Sequence, residues 1–190
     1  MLLMGAVPSG GAQTPLQGER DLSQEPGASG WVVGFRAGGV WVDGLAQGAD
    51  AQWTAVAGAR LAYRVTSQVA IGVDVWGAGL ERVGGSGTIR AGGPHLVLTP
   101  LAERASAVDP VLDFGVETVR LNDGEDRGAA LVFGAGLRRR WGSRWSIEGL
   151  ARNRLLTIEE EPFEGVATGR DADLWEVALE LAWTSGGHGR

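Results

Sequence analysis

The stretch DLWEVALELAW, residues 173–183, carries two surfaces in one run. Trp175, Val177, Leu179, Leu181 and Trp183 fall on one side of a two-residue alternation. Glu176 and Glu180 fall on the other, with Ala178 and Ala182 between them. A period of two marks a β-strand, whose successive side chains point to opposite faces. Repeated along the chain, the pattern predicts a closed sheet with an apolar outside and a charged inside.

Seven earlier runs share the alternation. Residues 31–42 set Trp31, Val33, Phe35 and Trp41 against Arg36. Residues 52–65 set Trp53, Ala55, Ala57, Leu61, Tyr63 and Val65 against Thr54, Arg60 and Arg64. Residues 69–80 set Val69, Ile71, Val73 and Val75 against Asp74 and Trp76. A fourth strand falls somewhere within 89–101, interrupted by Pro94 and Pro100, since proline is normally confined to strand edges and bulges. Residues 111–121 oppose Leu112, Phe114 and Val116 to Asp113 and Glu117. Residues 129–141 oppose Leu131, Phe133, Ala135 and Leu137 to Arg138 and Arg140. Residues 144–156 oppose Trp145, Ile147 and Ala151 to Glu148 and Arg152, with Leu150 on the polar side. The predicted fold is all-β: an eight-stranded antiparallel up-and-down barrel that crosses a membrane.

Composition bounds the function. The net charge of −6 and the lack of any basic stripe exclude a nucleic-acid footprint. With no cysteine, disulfides and thiolate metal sites are excluded. Two histidines are too few for a His-rich metal centre, and no cofactor is expected. No run reaches the length of a transmembrane helix, a test to which a barrel is blind. Residues 1–12 read as a truncated signal segment, 13–29 as a flexible leader, 30–184 as the barrel and 185–190 as a flexible tail containing His188.

Connection lengths and tryptophans bear on orientation. Tight turns are expected at 66–68 and 142–143, and longer loops at 43–51, 84–88, 122–128 and 157–172, with 102–110 a longish exception on the turn side. Membrane barrels keep short turns in the periplasm and long loops outside. In that orientation Trp31, Trp141, Trp145 and Trp183 form an aromatic belt at the periplasmic interface, and Trp41, Trp53 and Trp175 form one at the outer interface. Trp76 faces inward among charges.

The inward polar positions form an interior charge network: Arg36, Arg60, Arg64, Arg138, Arg140 and Arg152 against Asp74, Asp113, Glu117, Glu148, Glu176 and Glu180. A barrel this narrow is filled by its own side chains, so the charges must pair, with same-face glycines leaving room for guanidinium groups. A plugged interior and a narrow ion path both use these residues. Catalytic readings are poorer. The Asp113/Glu117 and Glu176/Glu180 pairs sit among arginines that hold carboxylates ionised, and His95 with Ser86 or Thr99 lacks a nucleophile-elbow pattern and an orienting acid. The acidic run at 159–161, with Glu164, Asp171 and Asp173, reads as a solvated loop that could also bridge lipopolysaccharide through a divalent cation.

The succession GAALVFGAGLRRRWGSRWSIEGLARNRLL at 128–156, followed by the final run at 173–183, resembles the end of the small outer-membrane β-barrel families, of the class of the OmpA transmembrane domain and OmpW. The resemblance covers about residues 31–183. It implies residence in the bacterial outer membrane and delivery by the barrel assembly machinery. It further implies a structural, adhesive or narrow-pore role, without catalysis and as a monomer. Two rival readings remain. One is a soluble calyx-type barrel with an apolar ligand, in which the two faces are reversed. The other is an outer-membrane lipid-modifying enzyme.

Overall fold

The computed structural model describes residues 29–43, 51–82, 85–102, 108–121, 126–159 and 169–185. The expected signal segment, nearly all of the leader and tail, and the acidic residues Glu160, Glu161 and Glu164 lie outside them. Eight strands follow in order: β1 Gly30–Asp43, β2 Gln52–Arg64, β3 Val69–Arg82, β4 Gly85–Leu98, β5 Val108–Leu121, β6 Asp126–Trp141, β7 Trp145–Glu159 and β8 Gly169–Thr184. Each pairs antiparallel with its neighbours, and β8 pairs with β1 to close the barrel.

The stagger of the wall can be followed residue by residue. A rung starting at Val32 passes through Ala62, Gly72, His95, Gly115, Val132, Arg154 and Leu174. It returns to β1 at Val42, ten residues beyond its start. Stagger and strand number together fix tilt and bore, and eight strands leave an interior that side chains fill.

Alternation decides what each side of the wall carries. Phe35, Leu61, Ile71, Val73, Leu137, Val177 and Leu179 stand exposed on the outside, Leu179 at 66 %. Arg36, Asp74, Asp113, Glu117, Arg152, Glu176 and Glu180 are buried within. The faces are therefore arranged as a membrane barrel requires, and opposite to a calyx. So much contiguous exposed apolar surface is foreign to a water-soluble monomer.

Two expectations need correction. The fourth strand is not broken at Pro94: β4 runs continuously from Gly85 to Leu98. Pro94 faces outward and keeps its register with Val73 of β3. Its loss shows on the β5 side, where Gly93 and Pro94 form no rungs while Gly92 and His95 on either side do. A missing N–H interrupts one ladder and leaves the other intact. Pro100 lies beyond the strand in a turn. The second correction concerns loops. Residues 85–88 belong to β4 and 126–128 to β6, so those connections shorten to 83–84 and 122–125. The contrast in loop length between the two ends is narrower than the sequence suggests.

The tight turns form as expected. At 65–68 the Thr66 hydroxyl accepts from the backbone N–H groups of Gln68 (3.2 Å) and Val69 (3.1 Å). The β6–β7 turn uses Gly142 at φ 70°, a conformation that costs a side-chain-bearing residue energy. Both these turns, the β4–β5 connection, the start of β1 and the end of β8 share one end of the barrel, called here the turn end; the opposite end is the loop end.

Candidate functional site

The inward face is layered along the barrel axis. At the loop end it is apolar: Val40, Val42, Val56, Ala78, Leu80, Ile89, Val119, Leu121, Leu156, Ile158 and Leu174 form one buried cluster. Below it lies a belt of charge, and below that a mixed layer at the turn end. The reading of a uniformly charged interior therefore holds for only part of the bore.

The belt is built from seven strands, all but β6. Asp113 on β5 is its hub: Arg152 reaches it through Nε at 2.7 Å and Nη2 at 2.6 Å, and Arg60 donates at 2.9 Å. Asp74 on β3 pairs with Arg36 and lies 3.4 Å from Arg60 and 3.3 Å from Arg152. Glu176 on β8 lies 2.8 Å from Arg36 and 2.6 Å from Arg154. Glu180 is held more loosely, 3.5 Å from Arg60. Each guanidinium thus spans two or more carboxylates, as its planar fork of donors permits.

His95 is the member the sequence concealed. Its Nδ1 lies 2.9 Å from Asp113 and its Nε2 lies 3.1 Å from Glu117. The expectation that no acid orients this histidine is thus overturned. The cause is register: His95 stands opposite Gly115, which places Asp113 and Glu117 two residues to either side. A Cβ at Gly115 would sit 2.6 Å from the imidazole, so only glycine leaves the ring its place. Both ring nitrogens face carboxylate oxygens, and an imidazole that donates from both is a cation. Arg36, Arg60, His95, Arg152 and Arg154 then balance Asp74, Asp113, Glu117, Glu176 and Glu180.

Arg154 and Trp76 join the belt to the apolar layer. Arg154 donates to Glu117 at 2.9 Å, and its guanidinium lies 4.3 Å from the centre of the Trp76 ring. The Trp76 indole N–H donates to Glu117 at 2.8 Å, while the ring packs in the apolar cluster. Trp76 therefore meets the charges with its polar edge and the aliphatic layer with the rest of its surface.

The remaining predicted residues sit nearer the turn end. Arg138 donates to Glu148 at 2.6 Å and to the Thr99 hydroxyl at 3.1 Å. Arg140 lies 2.8 Å from Asp109, an inward carboxylate the sequence reading missed, and donates to the Ala102 carbonyl at 3.0 Å. Arg64 lines a small recess at this end with Gln68, Thr99 and Arg138. All twelve residues expected in the interior network point inward.

This arrangement leaves little for catalysis or metal binding. Donor atoms of Asp74, His95 and Asp113 lie within 4.8 Å of one another, as a metal site would need. The same two carboxylates are held by Arg36, Arg60 and Arg152, and both His95 nitrogens face carboxylates. A cation would have to displace guanidinium groups and deprotonate the ring, so the donor set does not suit one. Thr99 accepts from Arg138 rather than meeting His95, and Ser86 is exposed outside the belt.

The other seven tryptophans lie on the outer wall near the strand ends. Trp41 pairs in register with both Trp53 and Trp175 near the loop end, with the Trp41 and Trp53 ring centres 5.8 Å apart. Near the turn end Trp145 pairs with both Trp141 and Trp183, and Trp31 meets Tyr63 edge-on at 5.3 Å.

The eight-stranded closed barrel has counterparts among solved structures. The fold is that of small outer-membrane barrels. Neisserial surface protein A superposes with a TM-score of 0.65 at 13 % identity, covering 82 % of this chain and 97 % of that one. The outer membrane protein OprG of Pseudomonas aeruginosa does so with a TM-score of 0.54 at 12 % identity, covering 86 % and 99 %. No protein-family model matches the chain, and no curated protein matches it in sequence. At these identities the likeness is one of architecture.

Proposed function

We propose that the protein is a monomeric, non-catalytic barrel of the bacterial outer membrane whose sealed interior makes it a rigid platform for its loops, a structural or surface-interaction role. The observation that carries this is the inversion of faces: an exposed aliphatic wall around a buried lattice of ion pairs. In water that arrangement exposes the wrong surface, and in a bilayer it exposes the right one. Its partners are the lipid bilayer, the barrel assembly machinery during insertion, and lipopolysaccharide in the outer leaflet. The tight-turn end, with the ends of β1 and β8, faces the periplasm, and residues 1–12 act as the export segment.

The apolar layer favours a plug over a pore. An ion leaving the charged belt toward the loop end would have to pass Val40, Leu156, Ile158 and Leu174, each at most 1 % exposed. Unpaired ions do not enter such surroundings at low cost. The test is direct. Detergent-folded protein should migrate differently before and after boiling, and should give no conductance steps in planar bilayers. A protein folded in plain buffer would sink the membrane reading. Stable unitary conductance would sink the plug.

A further inference from the structure

The bilayer-facing wall breaks its own rule at one position. Between the two tryptophan girdles the outward residues of the described strands are aliphatic, aromatic, alanine, glycine or proline, apart from Asn153 on β7. Asn153 stands in register between Phe133 of β6 and Trp175 of β8. Its side-chain amide has no hydrogen-bond partner among the described residues. Thr118, outward at the height of the loop-end girdle, differs: its hydroxyl donates to the Gly92 carbonyl at 3.2 Å. A carboxamide presents N–H donors and a carbonyl acceptor. Hydrocarbon meets neither, and leaving them unmet costs free energy. Leucine would suit the wall better, so the amide calls for a partner from outside the chain.

Its depth narrows the choice. Rungs climb the wall by about one and a quarter residues per strand, as the ten-residue stagger over eight strands requires. Asn153 therefore stands roughly 4 Å, measured along the strand, below Trp175. Indoles mark the headgroup level, so the amide lies where acyl chains join their headgroup. The wall beneath it leaves room. Ala151 stands between Ala135 and Val177, and Gly149 between Leu137 and Leu179. An added Cβ at Gly149 would meet only the Leu179 side chain, at 3.8 Å. A shallow channel thus runs down β7 from Asn153 toward the bilayer centre, with Phe133 and Leu137 on one bank and Val177 and Leu179 on the other.

We infer that Asn153 binds the acyl linkage of an outer-leaflet lipid, one that carries a hydrogen-bond donor as well as a carbonyl, with the chain lying along this channel. An ester offers acceptors alone, which would answer the Asn153 N–H groups and leave its carbonyl unmet. An amide-linked or hydroxylated chain answers both, and lipopolysaccharide carries chains of that kind. This rests on the outer-membrane reading and names the residue that meets that lipid.

The test uses the full chain folded in detergent, with its asparagine side-chain nitrogens isotopically labelled for magnetic resonance. The sequence has two asparagines, Asn122 and Asn153, so Asn153→Leu assigns both signals by removing one. Titration with lipid A should shift the Asn153 signal. Phosphatidylglycerol, whose chains are ester-linked and carry no hydroxyl, should leave it in place. Bound lipid counted by native mass spectrometry gives a second reading. Asn153→Leu should retain about tenfold less lipid A than wild type. Ala151→Leu, which fills the channel, should lose it likewise, and Arg139→Gln, outward at the turn end, should match wild type. A heat-modifiable band checks that each variant is folded, and Ala151→Leu serves if Asn153→Leu is not. An Asn153 signal unmoved by lipid A, or moved as far by phosphatidylglycerol, would overturn the site. So would equal retention of lipid A by wild type and the folded β7 variants. Failure of the outer-membrane reading shows separately, as a barrel that folds without detergent.

Discussion

Two stretches of the same bore are built from the same strands on the same parity, yet they hold together differently. At the loop end, Val40, Leu80, Ile89, Leu156, Ile158 and Leu174 fill space with aliphatic volume. In the middle, Asp74, Asp113, Glu117, Glu176 and Glu180 are tied to arginines and one histidine. The apolar layer is graded: each methyl group removed weakens it by a little, and no neighbour is left with an unmet demand. The belt is collective. Its members are worth little as a sum of attractions, since desolvation offsets them, but removing one strands several others.

The largest effect should follow loss of the hub. Asp113→Ala leaves Arg60, His95 and Arg152 short of an anion. It should destabilise the barrel by about 3–5 kcal/mol, read from urea unfolding in lipid vesicles followed by tryptophan fluorescence. A loss as small as that of a surface variant would show that the belt is not collective. Leu156→Ala, in the apolar layer, should cost about 2–5 kcal/mol by cavity formation, and a milder Leu156→Val correspondingly less. A step rather than a gradient between those two variants would erase the contrast between the layers.

Smaller effects sharpen the comparison. Gly115→Ala puts a methyl group against the His95 ring and should cost about 1–3 kcal/mol. His95→Ala made in the same chain should recover part of that cost, and additivity of the two would argue against the contact. The double change Asp113→Leu with Arg152→Met should cost less than the sum of its parts, because neither charge is left alone. At the bottom of the scale, Arg139→Gln on the outer wall should stay within about 0.5 kcal/mol of wild type.

The alternation made the wall legible. Knowing only that residues 173–183 alternate, one can assign Glu176 and Glu180 to the bore and Leu179 to the outside, and the same rule carries through every strand. It would also have given Arg154, which lies two residues past Arg152, had inward positions been gathered by parity and not from the best-formed part of each run. Asp109 was lost because β5 starts three residues earlier than its apolar pattern. His95 was hidden by Pro94, which made a continuous strand look broken. The apolar layer was in plain sight at Leu80, Leu156 and Leu174, on the same parity as the charges. What no alternation carries is which arginine meets which carboxylate. That follows from the stagger between strands, set by the whole wall at once.

The closure of the sheet has a consequence for the order in which the protein can form. Arg36 lies on the first strand and Glu176 on the last, and they touch only because β8 pairs with β1 along a seam running from Val32 to Asp43. Until β8 arrives, Arg36 and Arg154 each lack the Glu176 carboxylate and Arg60 lacks Glu180. Contacts so distant in sequence are slow to make. An open sheet is therefore short of acid as well as of hydrogen bonds, and the strand that shuts the barrel is the one that brings the last two carboxylates to the belt.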